Sequence, residues 1–247
     1  MRSLWKMTWM EAKLFLREPV GTFFTLAFPL MLLFVFGSIF GNAPSVALNG
    51  QGSVDISVPA YTAMIIGTVG MVGLPITVAS YRENGVLRRL HTTPINPLII
   101  LMAQVIVLLV MALIGMILLI LAGRLFYQLQ FEGNALSVLA GFVLSIFSFF
   151  ALGFILAGLM PTARTAQMVG MVLLYPMLFL CGAGYPRELL PETIIKISNY
   201  LPLTYVVTLL RGLWVGDSWI MHLPEVLVLS GMLVLGAFIS VVSFRWE

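Results

Sequence analysis

The chain has 247 residues, of which 60% are hydrophobic and only 9% are charged, whereas soluble domains carry about 25% charged residues. This composition excludes a soluble globular domain and predicts an integral membrane protein. Leu, Val, Ile, Met and Phe occur in long blocks rather than in alternation, which predicts helical spans and not barrel strands. The net charge of +3 arises from basic residues scattered at the ends of apolar runs, so it indicates membrane topology and no nucleic-acid partner.

Residues 2–18 are predicted to form an amphipathic helix that lies in the membrane interface. At 100° per residue, one face carries Trp5, Trp9, Ala12 and Leu16, with lysines and arginines beside it. A secretory signal peptide is the rival interpretation, but the apolar run that follows is too long for the hydrophobic region of a signal peptide. We therefore expect an uncleaved helix on the cytoplasmic side.

Six apolar runs follow that are long enough to cross about 30 Å of hydrocarbon. They are predicted at about residues 20–40, 59–79, 98–122, 136–160, 168–184 and 226–244, which makes residues 1–247 a single transmembrane domain of the all-α class. Residues 41–57 are predicted to be an irregular loop, and residues 161–167 a polar turn. Gly67, Gly70 and Gly73 lie along one strip of the second span, and such small residues let another helix backbone approach closely.

A polar island, residues 81–97, separates the second and third spans. Charged residues surround an Asn84-Gly85 break, and Val86, Leu87 and Leu90 recur at helical spacing, which predicts a short amphipathic helix over residues 82–92. We expect Glu83 to pair with one of the neighbouring arginines: Arg82, Arg88 or Arg89. On the residues alone, a positively charged cytoplasmic loop and a docking helix for a soluble partner remain alternatives.

Residues 185–216 form the second informative stretch. The longest uncharged piece, residues 197–210, is too short to cross the bilayer, which favours re-entrant or interfacial helices. An ordinary amphipathic loop is the alternative.

Both stretches resemble one family. R-E-N-G-V-L-R-R-L, followed by T-P-I-N-P, resembles the coupling-helix region of type-2 ABC exporter permeases, which include daunorubicin-resistance permeases and are similar in fold to the ABCG transporters. Asn84 stands where the family commonly has Lys. The second match consists of Y-P-R-E-L-L-P and then L-P-L-T-Y with a later L-R, in the same order and separation as in the family. The resemblance covers essentially the whole chain.

The resemblance implies roles for three groups of residues. The segment that contacts a separate ATP-binding subunit is Arg82, Glu83, Asn84, Gly85, Val86, Leu87, Arg88, Arg89 and Leu90. The outer gate is Tyr185, Pro186, Pro191, Leu201, Pro202 and Tyr205. On the second and fifth helices, which border the path in similar proteins, the candidate substrate-path residues are Tyr61, Met64, Thr68, Tyr175 and Phe179.

The charges predict the topology. Six spans place both termini on one side, and nine basic residues lie on that side against four on the other, so the positive-inside rule places both termini in the cytoplasm of a cell-membrane protein. One cysteine, Cys181, and two distant histidines, His91 and His222, predict no metal site and no disulfide.

Several absences narrow the function. The predicted span interiors contain no Asp, Glu, Lys or Arg, which disfavours an ion-coupled secondary transporter. The P-loop pattern G-x-x-x-x-G-K-[ST] does not occur, so we expect ATP and Mg to bind a partner chain and no cofactor to bind this one. The prediction is a non-enzymatic permease subunit of an exporter for a drug, antibiotic, lipid or lipid-linked glycan, completed by a second copy or a paralogue. A secondary transporter, or another multi-span protein without an ATPase, is the alternative.

Overall fold

The computed structural model describes residues 2–45, 48, 50–86, 97–184 and 190–243 of the chain. Over these residues all regular elements are helices, so the predicted all-α class is confirmed. In chain order the helices are α1 (Arg2–Arg17), α2 (Pro19–Phe40), α3 (Ser53–Glu83), α4 (Pro97–Tyr127), α5 (Ala135–Leu159), α6 (Ala163–Leu180), α7 (Glu192–Ser198), α8 (Pro202–Val215) and α9 (Leu223–Ser243). Six of them, α2 to α6 and α9, are long and apolar enough to cross a membrane.

The second span begins earlier than predicted, at Ser53 instead of residue 59. Its first turn is capped from a distant position, because Asn42 Oδ1 accepts hydrogen bonds from the backbone N–H groups of Val54 (3.0 Å) and Asp55 (3.2 Å). A Cβ at Gly52 would lie 2.0 Å from that oxygen, so glycine is required beside the cap. Residues 53–57, which we predicted as loop, are therefore helical.

The fifth span also begins earlier than predicted, at Ala163 instead of residue 168. Thr162 and Thr165 form a reciprocal capping box at its N-terminus, with both backbone-to-side-chain bonds at 3.2 Å. The predicted polar turn at 161–167 is thus mostly the first turn of α6. The helix ends at Leu180 rather than at 184, and Gly182 continues the chain with φ of 84°. The third span, in contrast, extends past the predicted end at residue 122 to Tyr127. The prediction stopped at the end of the uncharged run, but the helix continues through Arg124.

Two spans contain a π-helical turn, at Phe23–Ala27 in α2 and at Val69–Gly73 in α3. Each turn ends two residues before a proline, Pro29 or Pro75. Proline has no N–H to donate to the carbonyl four residues before it, which interrupts the regular α-helical ladder. The two wide turns therefore have the same cause in the sequence.

α3 lies at the centre of the bundle, since 72% of its apolar core segment is buried, against 11% for α9. Of the three glycines in the predicted strip, Gly70 makes the close backbone contact, whereas Gly67 and Gly73 face side chains. A Cβ at Gly70 would lie 2.6 Å from Phe149 Cβ, and a Cβ at Gly153 would lie 2.2 Å from the Gly70 carbonyl oxygen. α3 and α5 are thus packed backbone to backbone.

α7 and α8 meet at a sharp bend of 101°. The Tyr205 hydroxyl donates to the Asn199 carbonyl across the bend (2.7 Å), and α8 is buried along one side against the spans. Near its far end, Trp214 Nε1 donates to the Gln130 carbonyl (3.1 Å). This bent helix pair lies where the sequence predicts re-entrant or interfacial helices, and its length and composition fit either a re-entrant segment or one broken span.

Candidate functional site

Three consecutive side chains at the end of α3 each bond a different helix. The first to consider is Arg82, whose guanidinium donates to the backbone carbonyl of Gly158 (3.3 Å) and to that of Met160. These carbonyls lie at the C-terminus of α5, where backbone oxygens lack helical partners and the helix dipole is negative. The charge of Arg82 therefore stabilises the end of α5.

Glu83 makes the complementary contact on the next helix. Its Oε2 accepts a hydrogen bond from the Ala163 backbone N–H (2.9 Å), the first residue of α6. A carboxylate is favourable there, because the N-terminus of a helix carries unpaired N–H groups and partial positive charge. Of the three arginines expected as partners of Glu83, Arg82 bonds backbone carbonyls instead. The other two expected partners, Arg88 and Arg89, lie outside the described residues.

Tyr81, the third member, binds the interfacial helix. Its hydroxyl donates to Glu11 Oε1 at 2.5 Å, and Glu11 is only 8% exposed. Burial raises the pKa of the Glu11 carboxyl above its ordinary value, and the hydrogen bond from Tyr81 offsets part of that rise. On the opposite side of α1, Trp5 and Trp9 are exposed, as expected of a helix in the membrane interface.

The helix break falls two residues later than the predicted start of the coupling helix. Arg82 and Glu83 belong to the last turn of α3, and the chain turns at Asn84 and Gly85, where φ is +65°. The Asn84 side chain bonds back to the Ser80 carbonyl (3.0 Å). The predicted helix at 82–92 therefore does not include its first two residues, because the α3 ladder continues through them. Val86 is described, whereas Leu87, Arg88, Arg89 and Leu90 lie outside the described residues.

A cavity of about 50 Å³ lies between α2, α3 and α6, next to the end of α1. Both π-helical turns contribute to its wall, through Phe24 and Thr25 of α2 and Val69, Val72 and Gly73 of α3. Most of the lining is apolar, and the polar groups are few and include Thr68, Gln167 and Glu18. The cavity has room for on the order of four water molecules.

The predicted path residues divide into two sets. Met64, Thr68 and Tyr175 line this cavity together. Tyr61 is 3% exposed and borders a separate small cleft beside Gly182 and Gly184, and Phe179 is 65% exposed on the surface of α6. Sequence analysis missed two parts of this lining. Gln167 was assigned to a predicted turn because it is polar, and no residue of α2 was proposed for the path.

Comparison with known proteins identifies the family. Residues 2–214 match the family model described as ABC-2 type transporter. The chain belongs to this family. It is 26% identical over 191 residues to the protein named Inner membrane transport permease YhhJ of Escherichia coli, an alignment that covers 74% of this chain. It is 27% identical over 212 residues to the Putative transport permease ycf38 of Cyanophora paradoxa, covering 83% of this chain and 71% of that protein.

A third relative is Nodulation protein J of Bradyrhizobium diazoefficiens, which is 30% identical over 100 residues, covering 39% of this chain and 37% of that protein. The chain spans about half the length of the Escherichia coli relative, 50%. The family match and the six apolar helices together show a multi-pass membrane protein of the ABC-2 type.

In the described spans, Asp, Glu, Lys and Arg occur only in the end turns, for example Asp55, Arg124 and Glu225.

Four of the six residues predicted to form an outer gate lie at the bend between α7 and α8. Pro191 precedes α7, Leu201 and Pro202 form the start of α8, and Tyr205 closes the bend. The remaining two gate residues, Tyr185 and Pro186, lie outside the described residues. These prolines fit their positions, because proline is favoured at the start of a helix.

Proposed function

We propose that this chain is the membrane subunit of an ATP-driven exporter that moves a hydrophobic or amphipathic substrate outward across the cell membrane. Both termini lie in the cytoplasm, and residues 82–90 contact a separate ATP-binding subunit that binds ATP and Mg. The observation that carries the proposal is the continuity of α3, which lines the cavity and ends in the segment that resembles a coupling helix.

The cavity supports the substrate class. Its lining combines aromatic and aliphatic side chains with a few hydroxyl and amide groups and the carboxyl group of Glu18, which suits a molecule with a large apolar part and a small polar part. Its volume of about 50 Å³ is well below the roughly 300–1,000 Å³ of pockets that enclose drug-sized ligands. A second copy of the chain, or a paralogue, is therefore part of the proposal, because it would complete the path against α2 and α6.

Reconstitution of the complex tests this function. The permease would be co-expressed with an ATP-binding chain encoded beside it, purified, and placed in vesicles with the nucleotide-binding face outward. ATP should drive uptake of an amphipathic probe, daunorubicin or a fluorescent phospholipid, and an ATP-binding chain that lacks its catalytic residue should not support uptake. Uptake of neither probe above that control, by a complex that hydrolyses ATP, would refute the proposed substrate class. A permease that forms no complex with any such chain would refute the proposed coupling.

A further inference from the structure

Arg82 and Glu83 form hydrogen bonds with backbone groups on both sides of the short connection between α5 and α6. Arg82 bonds the carbonyls at the end of α5, and Glu83 bonds the N–H of Ala163 at the start of α6. Each charge has the sign that its helix end favours. Two adjacent residues thus fasten the last turn of the second span to both the fourth and the fifth spans.

α6 does not need Glu83 for its own cap. The capping box of Thr162 and Thr165 already pairs the Thr165 N–H, at 3.2 Å. The bond between Glu83 and Ala163 is an addition that crosses between helices, over 80 positions of sequence. The bond therefore links the end of α3 to the start of α6, and we call this link the tie.

α6 is less buried than the two helices to which Arg82 and Glu83 connect it. Only 28% of the apolar core segment of α6 is buried, against 56% for α5 and 72% for α3. α6 packs along the C-terminal half of α3, and the backbones approach closely at Gly170, where a Cβ would lie 2.3 Å from the Met71 carbonyl oxygen. At 1.5 Å per residue, Ala163 lies about 10 Å to one side of that contact and Tyr175 about 7 Å to the other.

We propose that Glu83 and Arg82 are positioning residues that transmit movement of the coupling segment to α6, which rocks on the Gly170–Met71 contact and moves the Tyr175 wall of the cavity. This inference rests on the proposed coupling to an ATP-binding chain. A push on the segment after α3 displaces the start of α6 because the tie holds the two ends together. The far half of α6 then moves in the opposite sense and changes the width of the cavity.

Ala163→Pro breaks the tie with little other change. Proline has no N–H for Glu83 to bind, and it is favoured at the first position of a helix. Thr162 already has the extended conformation that precedes proline, with φ −132° and ψ 158°. The matched control is Ala135→Pro, the same substitution at the first position of α5, after the extended Asn134. No described hydrogen bond between helices involves the Ala135 N–H.

Spin-label distances in the complex with the ATP-binding chain provide the readout, in a Cys181→Ser background and in nanodiscs. One label pair, at Asn84 and Arg164, spans the tie. The other, at Met31 and Phe179, spans the cavity between α2 and α6. All four labelled side chains are exposed in the isolated chain. In the parent complex, ATP with vanadate should shift the Met31–Phe179 distance by at least about 1–2 Å, the size of common helix shifts, and should leave the Asn84–Arg164 distance unchanged.

Ala163→Pro should at least halve the Met31–Phe179 shift and make the Asn84–Arg164 distance depend on nucleotide, whereas Ala135→Pro should behave as the parent. Glu83→Gln, which keeps an acceptor oxygen, should retain most of the shift. A full Met31–Phe179 shift in Ala163→Pro would overturn the transmission role and leave the proposed function intact. A parent complex that assembles and hydrolyses ATP without any shift would also overturn the transmission role, whereas failure to assemble would overturn the proposed coupling and this inference together.

Discussion

The Tyr81 hydroxyl donates a 2.5 Å hydrogen bond to the buried carboxyl of Glu11, which joins the interfacial helix to the end of the second span. Because burial raises the folded-state pKa of Glu11 above its ordinary value of 4.5, its contribution to stability is fully present below that value. The contribution is lost as the pH rises through the folded-state pKa. The Tm of the purified protein should therefore fall as the pH is raised above 4.5.

Glu11→Gln should remove this part of the pH dependence, because the amide oxygen still accepts from Tyr81 and carries no charge. At pH 7 the variant should have the higher Tm, because its neutral amide buries no charge. Thermal unfolding in detergent between pH 4 and 8 measures both effects. Glu132→Gln, at an exposed glutamate on the other end of the bundle, is the control and should keep the parent slope. An equal slope in Glu11→Gln and the parent would contradict the assignment.

Asn42→Ala should loosen three segments at once. Asn42 caps α3 through Val54 and Asp55, and its amide group donates to the Asp55 carboxylate (3.0 Å) and to the Tyr127 carbonyl (3.2 Å). We expect a loss of about 1–3 kcal/mol, because the substitution leaves part-buried polar groups unpaired. Hydrogen exchange should speed up at 53–57 and at 127–130.

The matched control is Asn134→Ala. Asn134 caps α5 locally, through the N–H groups of Leu136 (2.8 Å) and Ser137 (3.3 Å). Its loss should cost about 1 kcal/mol and affect exchange only at the start of α5. Equal and purely local effects of the two substitutions would show that Asn42 is not a connection between spans.

These contacts also mark the limit of sequence-based prediction. Composition and apolar run length identified the spans and the fold class, since a 20-residue apolar run has few alternatives. The start of α3 was missed because its cap, Asn42, is remote in sequence. The partners of Arg82 and Glu83 were missed because they are backbone groups near residue 160, and no side-chain pattern encodes them.

The cavity was only partly predictable for a similar reason. The resemblance assigned the path to two spans, and Met64, Thr68 and Tyr175 do line one cavity. Helical spacing alone did not distinguish them from Phe179, which faces outward on the same span as Tyr175. The contribution of α2 follows from the packing of three helices, which a single sequence does not specify.

Filling the cavity should impair transport. Thr68→Phe adds bulk at a lining position, so it should reduce probe uptake by the reconstituted complex severalfold and cost about 1–3 kcal/mol of stability through overpacking. Val234→Phe adds a similar ring at a position that is 66% exposed on α9 and should leave uptake near the parent value. Unchanged uptake in Thr68→Phe would show that this cavity is not part of the substrate path.

The topology predicts opposite accessibility at positions 89 and 193. Single cysteines placed at Arg89 and at the exposed Thr193, in a Cys181→Ser background, would be treated with an impermeant maleimide in intact cells. Labelling should occur at 193, and at 89 only after the membrane is permeabilised. Strong labelling at 89 without labelling at 193 in intact cells would contradict this orientation.

The central claim is that the segment after α3 contacts an ATP-binding chain. A photoreactive benzoyl-phenylalanine at Val86, just beyond the Asn84–Gly85 break, tests it directly, with the same residue at Trp219, between α8 and α9, as the control. Irradiation of the assembled complex should cross-link position 86 to the ATP-binding chain and should give no such product from position 219. Absence of the product at 86, in a complex that contains the ATP-binding chain, would contradict the account.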